Sequence, residues 1–290
     1  MQYERPQTLE TALSLLATEG LHISVLAGGT DLIVKMQAGM CTPDLVVDIK
    51  SIPELMEIVE RDGGFEIGAG VSAARVTEHL GLRAAWPGVT EAVSLIGSTQ
   101  VKSRATPVGN LCNGSPAADG VPALIAARAI ATIIGPTGVR LVPVEDIPVG
   151  PGKTSLTRGE MIVSLGLPPR PAHSADAYLR MIPRTEMDIA IVGAGVSLSF
   201  NAAGTCLTAR VAIGAVAPTA RLVPEAGDML VGTALDEDSV TAAMSAARAA
   251  ASPIDDKRGS VGYRIKTIEV LVGRAIRIAQ ERAACRNNAI

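Results

Sequence analysis

Aromatic side chains are scarce, with two Phe, three Tyr and one Trp among 290 residues. So few rings leave little to stack on bases, and a formal net charge of −3 leaves no positive surplus to neutralise a phosphate backbone. Nucleic acid is therefore not an expected partner. Histidine is sparse too: His22, His79 and His173 stand far apart without an H-E-x-x-H or H-x-E companion, so capping or surface roles are expected of them. Cys41, Cys112, Cys206 and Cys285 form no C-x-x-C pair, which argues against zinc or an iron–sulfur cluster held by this chain and for reduced thiols. No uncharged apolar run reaches the ~18 residues of a membrane span, and Met1-Gln2-Tyr3-Glu4-Arg5-Pro6 lacks the pattern of a signal peptide. The cytoplasm is the expected location, where the sequon Asn113-Gly114-Ser115 has no use.

What is present is ample apolar material. Hydrophobic residues make up 48% of the chain, enough for a core shared by two or three packed units. Residues 1–56 read as a small β/α subdomain. Thr8 can cap a helix whose Leu9, Ala12, Leu13 and Leu16 share one face, Gly20 stops it, and strands are expected at 24–27 and 45–49. Residues 57–171 form a second subdomain. It opens with a hairpin turned by Asp62-Gly63-Gly64, continues with helical stretches at 72–79, 89–96 and 117–129, and adds strands at 130–134, 139–142 and 160–167. Pro168-Pro169-Arg170-Pro171 is a linker into residues 172–290. There, strands at 178–181, 191–201 and 206–216 and two Ala-rich helices at 236–250 and 261–284 describe an antiparallel sheet backed by helices.

Several glycine motifs fail on inspection. Gly68-Ala69-Gly70-Val71-Ser72-Ala73 fits the letters of a dinucleotide fingerprint, but the second strand that this needs would fall on Trp86-Pro87-Gly88-Val89-Thr90-Glu91. A tight turn is expected instead. Gly150-Pro151-Gly152-Lys153-Thr154 ends like a phosphate loop, yet Ile147 stands where its first glycine belongs. Gly193-Ala194-Gly195 lies inside a strand pattern and reads as a close-packing site. With no Ser/His/Asp order, no G-x-S-x-G elbow and no marked pair of acids, hydrolysis lacks support.

Two loops remain: Leu26-Ala27-Gly28-Gly29-Thr30-Asp31-Leu32, and Thr106-Pro107-Val108-Gly109-Asn110-Leu111-Cys112-Asn113-Gly114-Ser115-Pro116-Ala117-Ala118-Asp119. Both bring small residues and bare backbone amides to places that a phosphate could approach. A diphosphate held by amides needs no lysine, and the Asp119 carboxylate could accept from ribityl or ribose hydroxyls.

These loops, with Tyr178-Leu179-Arg180, Arg184, Asp188-Ile189-Ala190 and Arg258-Gly259-Ser260-Val261-Gly262-Tyr263-Arg264, resemble the FAD-binding subunit of the molybdenum hydroxylases over almost the whole length. The bacterial xanthine dehydrogenase type is the nearer likeness, on Val142-Pro143-Val144, residues 150–156 and Val216-Ala217-Pro218-Thr219; the carbon monoxide dehydrogenase medium subunit comes next. The resemblance implies an α+β fold: a two-part FAD-binding domain of the vanillyl-alcohol-oxidase/PCMH type, followed by a C-terminal antiparallel sheet with helices. It implies FAD contacts from Ala27, Gly28, Gly29, Thr30, Asp31, Leu32, Thr106, Gly109, Asn110, Asn113, Ser115, Ala118 and Asp119, completed by Ile162 and Arg180, with Ile96 as apolar cover for the ring. It implies no catalytic acid or base and no metal in this chain.

By the same resemblance the partners are a molybdopterin-binding large subunit and a [2Fe-2S] small subunit, in a dimer of heterotrimers that passes electrons to NAD or quinone and hydroxylates purines or related N-heterocycles. A positive Arg180 would favour the anionic reduced flavin. Pro107 and Val108 depart from the family's Gly-Thr-Ile-Gly-Gly-Asn loop, and Pro107 removes an amide donor. A nicotinate dehydrogenase-type complex, a free-standing flavin oxidase and a non-catalytic scaffold are the alternative readings.

Overall fold

The computed structural model describes residues 1–184 and 187–287. Its first unit runs β1 (Gln2–Glu4), α1 (Leu9–Leu16), β2 (Ile23–Leu26), α2 (Leu32–Gln37) and β3 (Leu45–Asp48). β3 is buried along its whole length because β1 and β2 flank it in parallel and its faces are covered, the setting that a continuous Leu-Val-Val run suits. Thr8 caps α1 by accepting from the Thr11 amide, as the sequence suggests.

The second unit begins with the hairpin of β4 (Ile58–Arg61) and β5 (Gly64–Gly68). Asp62 and Gly63 form its two-residue turn with φ of 52° and 75°, left-handed values that suit Asp-Gly. Six short helices follow: α3 (Ala73–Glu78), α4 (Leu80–Ala85), α5 (Pro87–Ser94), α6 (Thr99–Lys102), α7 (Pro107–Cys112) and α8 (Gly120–Ala126). The chain then returns through β6 (Ile130–Gly135), β7 (Gly138–Pro143), the small hairpin of β8 (Pro148–Gly150) and β9 (Lys153–Thr154), and β10 (Met161–Leu167). The sheet order β4-β5-β10-β6-β7 puts the last strand of the unit in the middle, antiparallel to β5 and to β6. Gly68 and Gly70 make the tight turn expected of them, since a Cβ there would fall 2.4 Å from the Leu55 oxygen and 2.3 Å from Met56 Sδ, respectively.

The third unit is the antiparallel sheet β11 (Ser174–Met181), β12 (Val192–Phe200), β13 (Cys206–Gly214) and β14 (Arg221–Leu222), in that order. α9 (Pro224–Asp228), α10 (Glu237–Ala250) and α11 (Val261–Asn287) cover it. Its own apolar cluster joins Val192, Val196 and Val211 to Ile268, Val272 and Ala275 of α11. Buried Arg264 fastens α11 to the sheet end by donating to the carbonyls of Ile191 and Ala215 and pairing with Asp256. No described helix is long and apolar enough to cross a membrane.

α8 is the joint between the units. All of its residues are buried, and it presses so closely on the third sheet that a Cβ on Gly195 would lie 2.6 Å from the Pro122 oxygen. Gly195 is thus the close-packing residue that its strand context suggests. The proline linker is pinned too: Trp86 donates to the Pro168 carbonyl, and the Arg170 guanidinium lies 4.2 Å over the Trp86 ring while pairing with Asp176.

Candidate functional site

The first bend, residues 27–31, carries the chain from β2 into α2. It is held from beneath: Lys50 Nζ donates to the Ala27 carbonyl at 3.2 Å and pairs with Asp48 at 2.7 Å, and Tyr3 donates to the other Asp48 oxygen at 2.5 Å. Burial pushes the Asp48 carboxyl up, but these hydrogen bonds outweigh it and hold the group below its ordinary value. Gly29 takes a φ of 79°, a left-handed conformation that glycine adopts without cost. Gly28 has a different reason to be glycine, since a Cβ there would stand 2.2 Å from the Arg104 carbonyl oxygen and 2.8 Å from the Ala105 Cα. The first bend therefore lies directly against the backbone that leads into the second.

Among the described residues, the amides of 28–32 donate to no other group of the chain. They belong to residues that line a cleft of about 370 Å³, a run of backbone donors along its wall.

The second bend differs from the open loop expected of residues 106–119. Residues 107–112 are the helix α7, with the buried Thr106 as its cap accepting from the Gly109 amide at 2.8 Å. Pro107 stands at the first helical position, where a fixed φ suits and no intrahelical bond is lost. The capping residue and the proline were the signal for this helix; the glycines around them hid it. With Pro107 lacking an N–H, the Gly109 amide used by Thr106 Oγ1 and the Asn110 amide bonded to the Thr106 carbonyl, the Val108 amide is the free donor of this turn.

Most of the expected contact residues meet in the cleft. Ala27, Gly28, Gly29, Thr30, Asp31 and Leu32 line one side, with Thr106, Gly109, Asn110 and Asn113 opposite, and Ile96 and Ile162 closing it. Asn113 ties the sides together, donating to Asp31 at 3.1 Å and accepting from Lys35 Nζ at 2.5 Å. Four expected residues lie outside this cleft. Ser115 accepts from the Ala117 amide, and Ala118 is buried in the core. Asp119, an FAD contact by the resemblance, is not among the lining residues: α8 is enclosed on every side, and the carboxylate lies 2.7 Å from Arg180 and 3.3 Å from the Tyr178 hydroxyl.

Arg180 is likewise spent on structure, pairing with Asp119 and donating to the Leu95 carbonyl, one residue before Ile96 of the cleft wall. Burial drives the Asp119 carboxyl up to about 6 although Arg180 and Tyr178 pull it down.

The sequence did not single out several other lining residues. Lys35 lies near the end of α2, Cys41, Glu160 and Met161 lie in segments with no motif of their own, and Thr154 ends the glycine-rich stretch whose spacing fails as a phosphate loop. Glu160 is bidentate to Arg140, whose hydrogen bonds pull its carboxyl down to about 2. Cys112 also borders the cleft, its thiol pushed by burial to about 12. No group of metal ligands occurs among the described residues.

Residues 1–170 match the family described as the FAD binding domain in molybdopterin dehydrogenase, and residues 177–279 match the CO dehydrogenase flavoprotein C-terminal domain. The carbon monoxide dehydrogenase medium chain of Afipia carboxidovorans is 34% identical, covering 97% of both chains. The xanthine dehydrogenase FAD-binding subunit of Escherichia coli O157:H7 is 29% identical over 94% of both. The likeness thus runs further toward the carbon monoxide dehydrogenase chain than the short motifs of the sequence suggested. A solved Cu,Mo-CO dehydrogenase aligns with a TM-score of 0.93 at 33% identity, covering 97% of this chain and 98% of that one. Quinoline 2-oxidoreductase from Pseudomonas putida 86 aligns at 0.89 and 27% identity, covering 98% of each.

Proposed function

Because this chain belongs to the FAD-binding medium subunits of the molybdenum hydroxylases, we propose that its cleft holds one non-covalent FAD and that it serves as the electron-transfer subunit of such a complex. The observation that carries this reading is the run of unpartnered amides at 28–32, facing a second bend that Gly28 allows to come within contact. Oriented main-chain donors are what a diphosphate requires, and the missing side chains at Gly28 and Gly29 leave room for it. The residues present therefore fit the group.

When bound, the flavin supplies the redox chemistry, accepting electrons from iron–sulfur clusters of a small subunit and passing them on. The chain's task is to bind and to shield. Amides of the first bend would hold the diphosphate, the capped α7 would offer the Val108 amide, and the apolar side chains of Ile96, Met161 and Ile162 on the lining would shield the group from water. No acid or base of this chain is required. Arg180 acts through Ile96 and the Leu95 carbonyl rather than as a bare charge in the cleft, since Asp119 already balances it.

The partners are a molybdopterin-binding large subunit and a [2Fe-2S] small subunit, assembled as a dimer of heterotrimers in the cytoplasm with NAD or quinone as acceptor. The reducing substrate binds the large subunit; a purine or related N-heterocycle is the first reading. Carbon monoxide is the second, favoured by 34% identity to a carbon monoxide dehydrogenase medium chain against 29% to a xanthine dehydrogenase subunit.

Titrating the flavin-free chain with FAD tests the binding. Saturable quenching of flavin fluorescence at one FAD per chain is expected, and a chain that stays colourless in excess FAD overturns the proposal. Assaying the assembled complex with hypoxanthine, xanthine, nicotinate and carbon monoxide then separates the two substrate readings.

A further inference from the structure

The amides fit a diphosphate but carry no net charge, and the side chains of the cleft offer a doubly negative guest a counter-ion only when one of them changes partner. Of the described residues that line it, Asp31 and Glu160 are acids and Lys35 is the single base. Glu160 is balanced by Arg140, which leaves Asp31 against Lys35. The ammonium of Lys35 is bonded to a neutral acceptor, Asn113 Oδ1 at 2.5 Å. Donors of the second bend are also few, because Pro107 carries none and the amides of Gly109 and Asn110 are engaged by Thr106.

We propose that Lys35 is the counter-charge of the FAD diphosphate, exchanging its Asn113 bond for a phosphate oxygen and so replacing the amide donors that Pro107 and the Thr106 cap take from the second wall. This rests on the reading of the cleft as an FAD site. Lys35 follows Asp31 by one helical turn on α2, so the same short element that presents the amides of 31 and 32 also carries the ammonium. Its partly buried position on the lining lets it meet the anion at reduced solvent screening, and its flexible stem lets the head move between two acceptors. Asn113, once released, keeps its bond to Asp31 and continues to join the two walls.

The proposal distinguishes the phosphates of the ligand from its ring. Lys35→Met should weaken FAD binding by about tenfold to a hundredfold, the worth of one charge-assisted hydrogen bond, and should flatten the salt dependence of the FAD Kd. Lys35→Arg should restore most of the affinity. Riboflavin, which has no phosphate, should bind the wild-type chain and Lys35→Met equally. The experiment is fluorescence titration of the full, flavin-free chain and its variants with FAD and with riboflavin at low and high salt, with circular dichroism checking the fold of each.

If Lys35→Met binds FAD as tightly as the wild type, or loses riboflavin as strongly as FAD, the assignment of Lys35 to the diphosphate is overturned while the FAD site stands. If the wild-type chain itself binds no FAD, the reading of the cleft falls first, and the assignment of Lys35 with it.

Discussion

Gly28 and Arg104 touch so closely that a β-carbon on the glycine would lie 2.2 Å from the arginine's carbonyl oxygen. The obstacle is backbone rather than the end of a flexible side chain, so the two bends would have to part to admit it. Gly28→Ala should lower stability by roughly 1–3 kcal/mol, the usual cost of overpacking, and weaken FAD binding more than any other single-methyl change in the cleft. Thermal melting and FAD titration of that variant check both; an unchanged affinity would mean that the contact of the bends does not shape the site.

The buried Asp119–Arg180 pair gives a second prediction. Their oxygen and nitrogen are 2.7 Å apart, and side-chain exposures are 11% and 5%. Arg180→Met leaves a buried carboxylate without its partner and should cost about 3–5 kcal/mol. Adding Asp119→Asn to it should recover part of that loss, so urea denaturation of both single variants and the double variant should give a strongly non-additive cycle. Simple additivity would show that the two side chains do not act as a unit.

The same carboxyl sets a pH dependence. Burial raises it from 3.8 to about 6, so the folded state binds its proton more tightly than the unfolded chain does. The stabilisation from holding that proton is complete below about pH 4 and is lost as pH rises toward about 6. Stability of the wild type relative to Asp119→Asn should therefore decline between those limits and be level above them. Denaturation curves at pH 4, 5, 6 and 7 measure it, and a difference that grows with pH would reverse the sign.

The thiols offer a footprint of the occupied cleft. Cys41 is half-buried and lines it, Cys112 and Cys206 carry thiols raised by burial to about 12 and about 11, and Cys285 is exposed. Thiolates are the reactive form. Iodoacetamide should modify Cys285 with or without FAD, modify Cys41 only without it, and spare Cys112 and Cys206. Peptide mass spectrometry reads this directly, and Cys41 labelling that ignores FAD would remove the wall that Cys41 forms from the proposed site.

Much of the architecture can be read from local chemistry. Asp62-Gly63 announces its hairpin because few other pairs accept two left-handed conformations, and Thr8 and Asp236 announce their helices because each cap hydroxyl or carboxylate is followed by a helical face. The first bend is visible for the same reason: glycines between a strand and a helix have few other uses. The second bend is harder to read, since two prolines and two glycines suggest irregular chain, whereas the Thr106 cap and the tolerance of helices for proline at the first position make residues 107–112 α7.

Asp119 and Lys35 escaped local reading in opposite directions. A carboxylate at a helix start ordinarily faces outward, but Asp119 is turned in by the packing of α8 on β12, a contact between segments distant in sequence. A lysine near a helix end ordinarily faces water, but α2 is so short that its last turn still borders the cleft. Neither outcome follows from the neighbours of the residue along the chain.

The central place of β10 in its sheet has a consequence for biosynthesis. Both bends and the helices between them leave the ribosome before Met161 and Ile162 do, and until that strand arrives β5 and β6 each present an unpaired edge toward the gap it will fill. A nascent chain halted at residue 150 would own every glycine of the cleft and yet have no floor beneath it. Cofactor loading should therefore follow the arrival of β10, so FAD retained on chains captured from a translation reaction should lag behind the appearance of their N-terminal epitope.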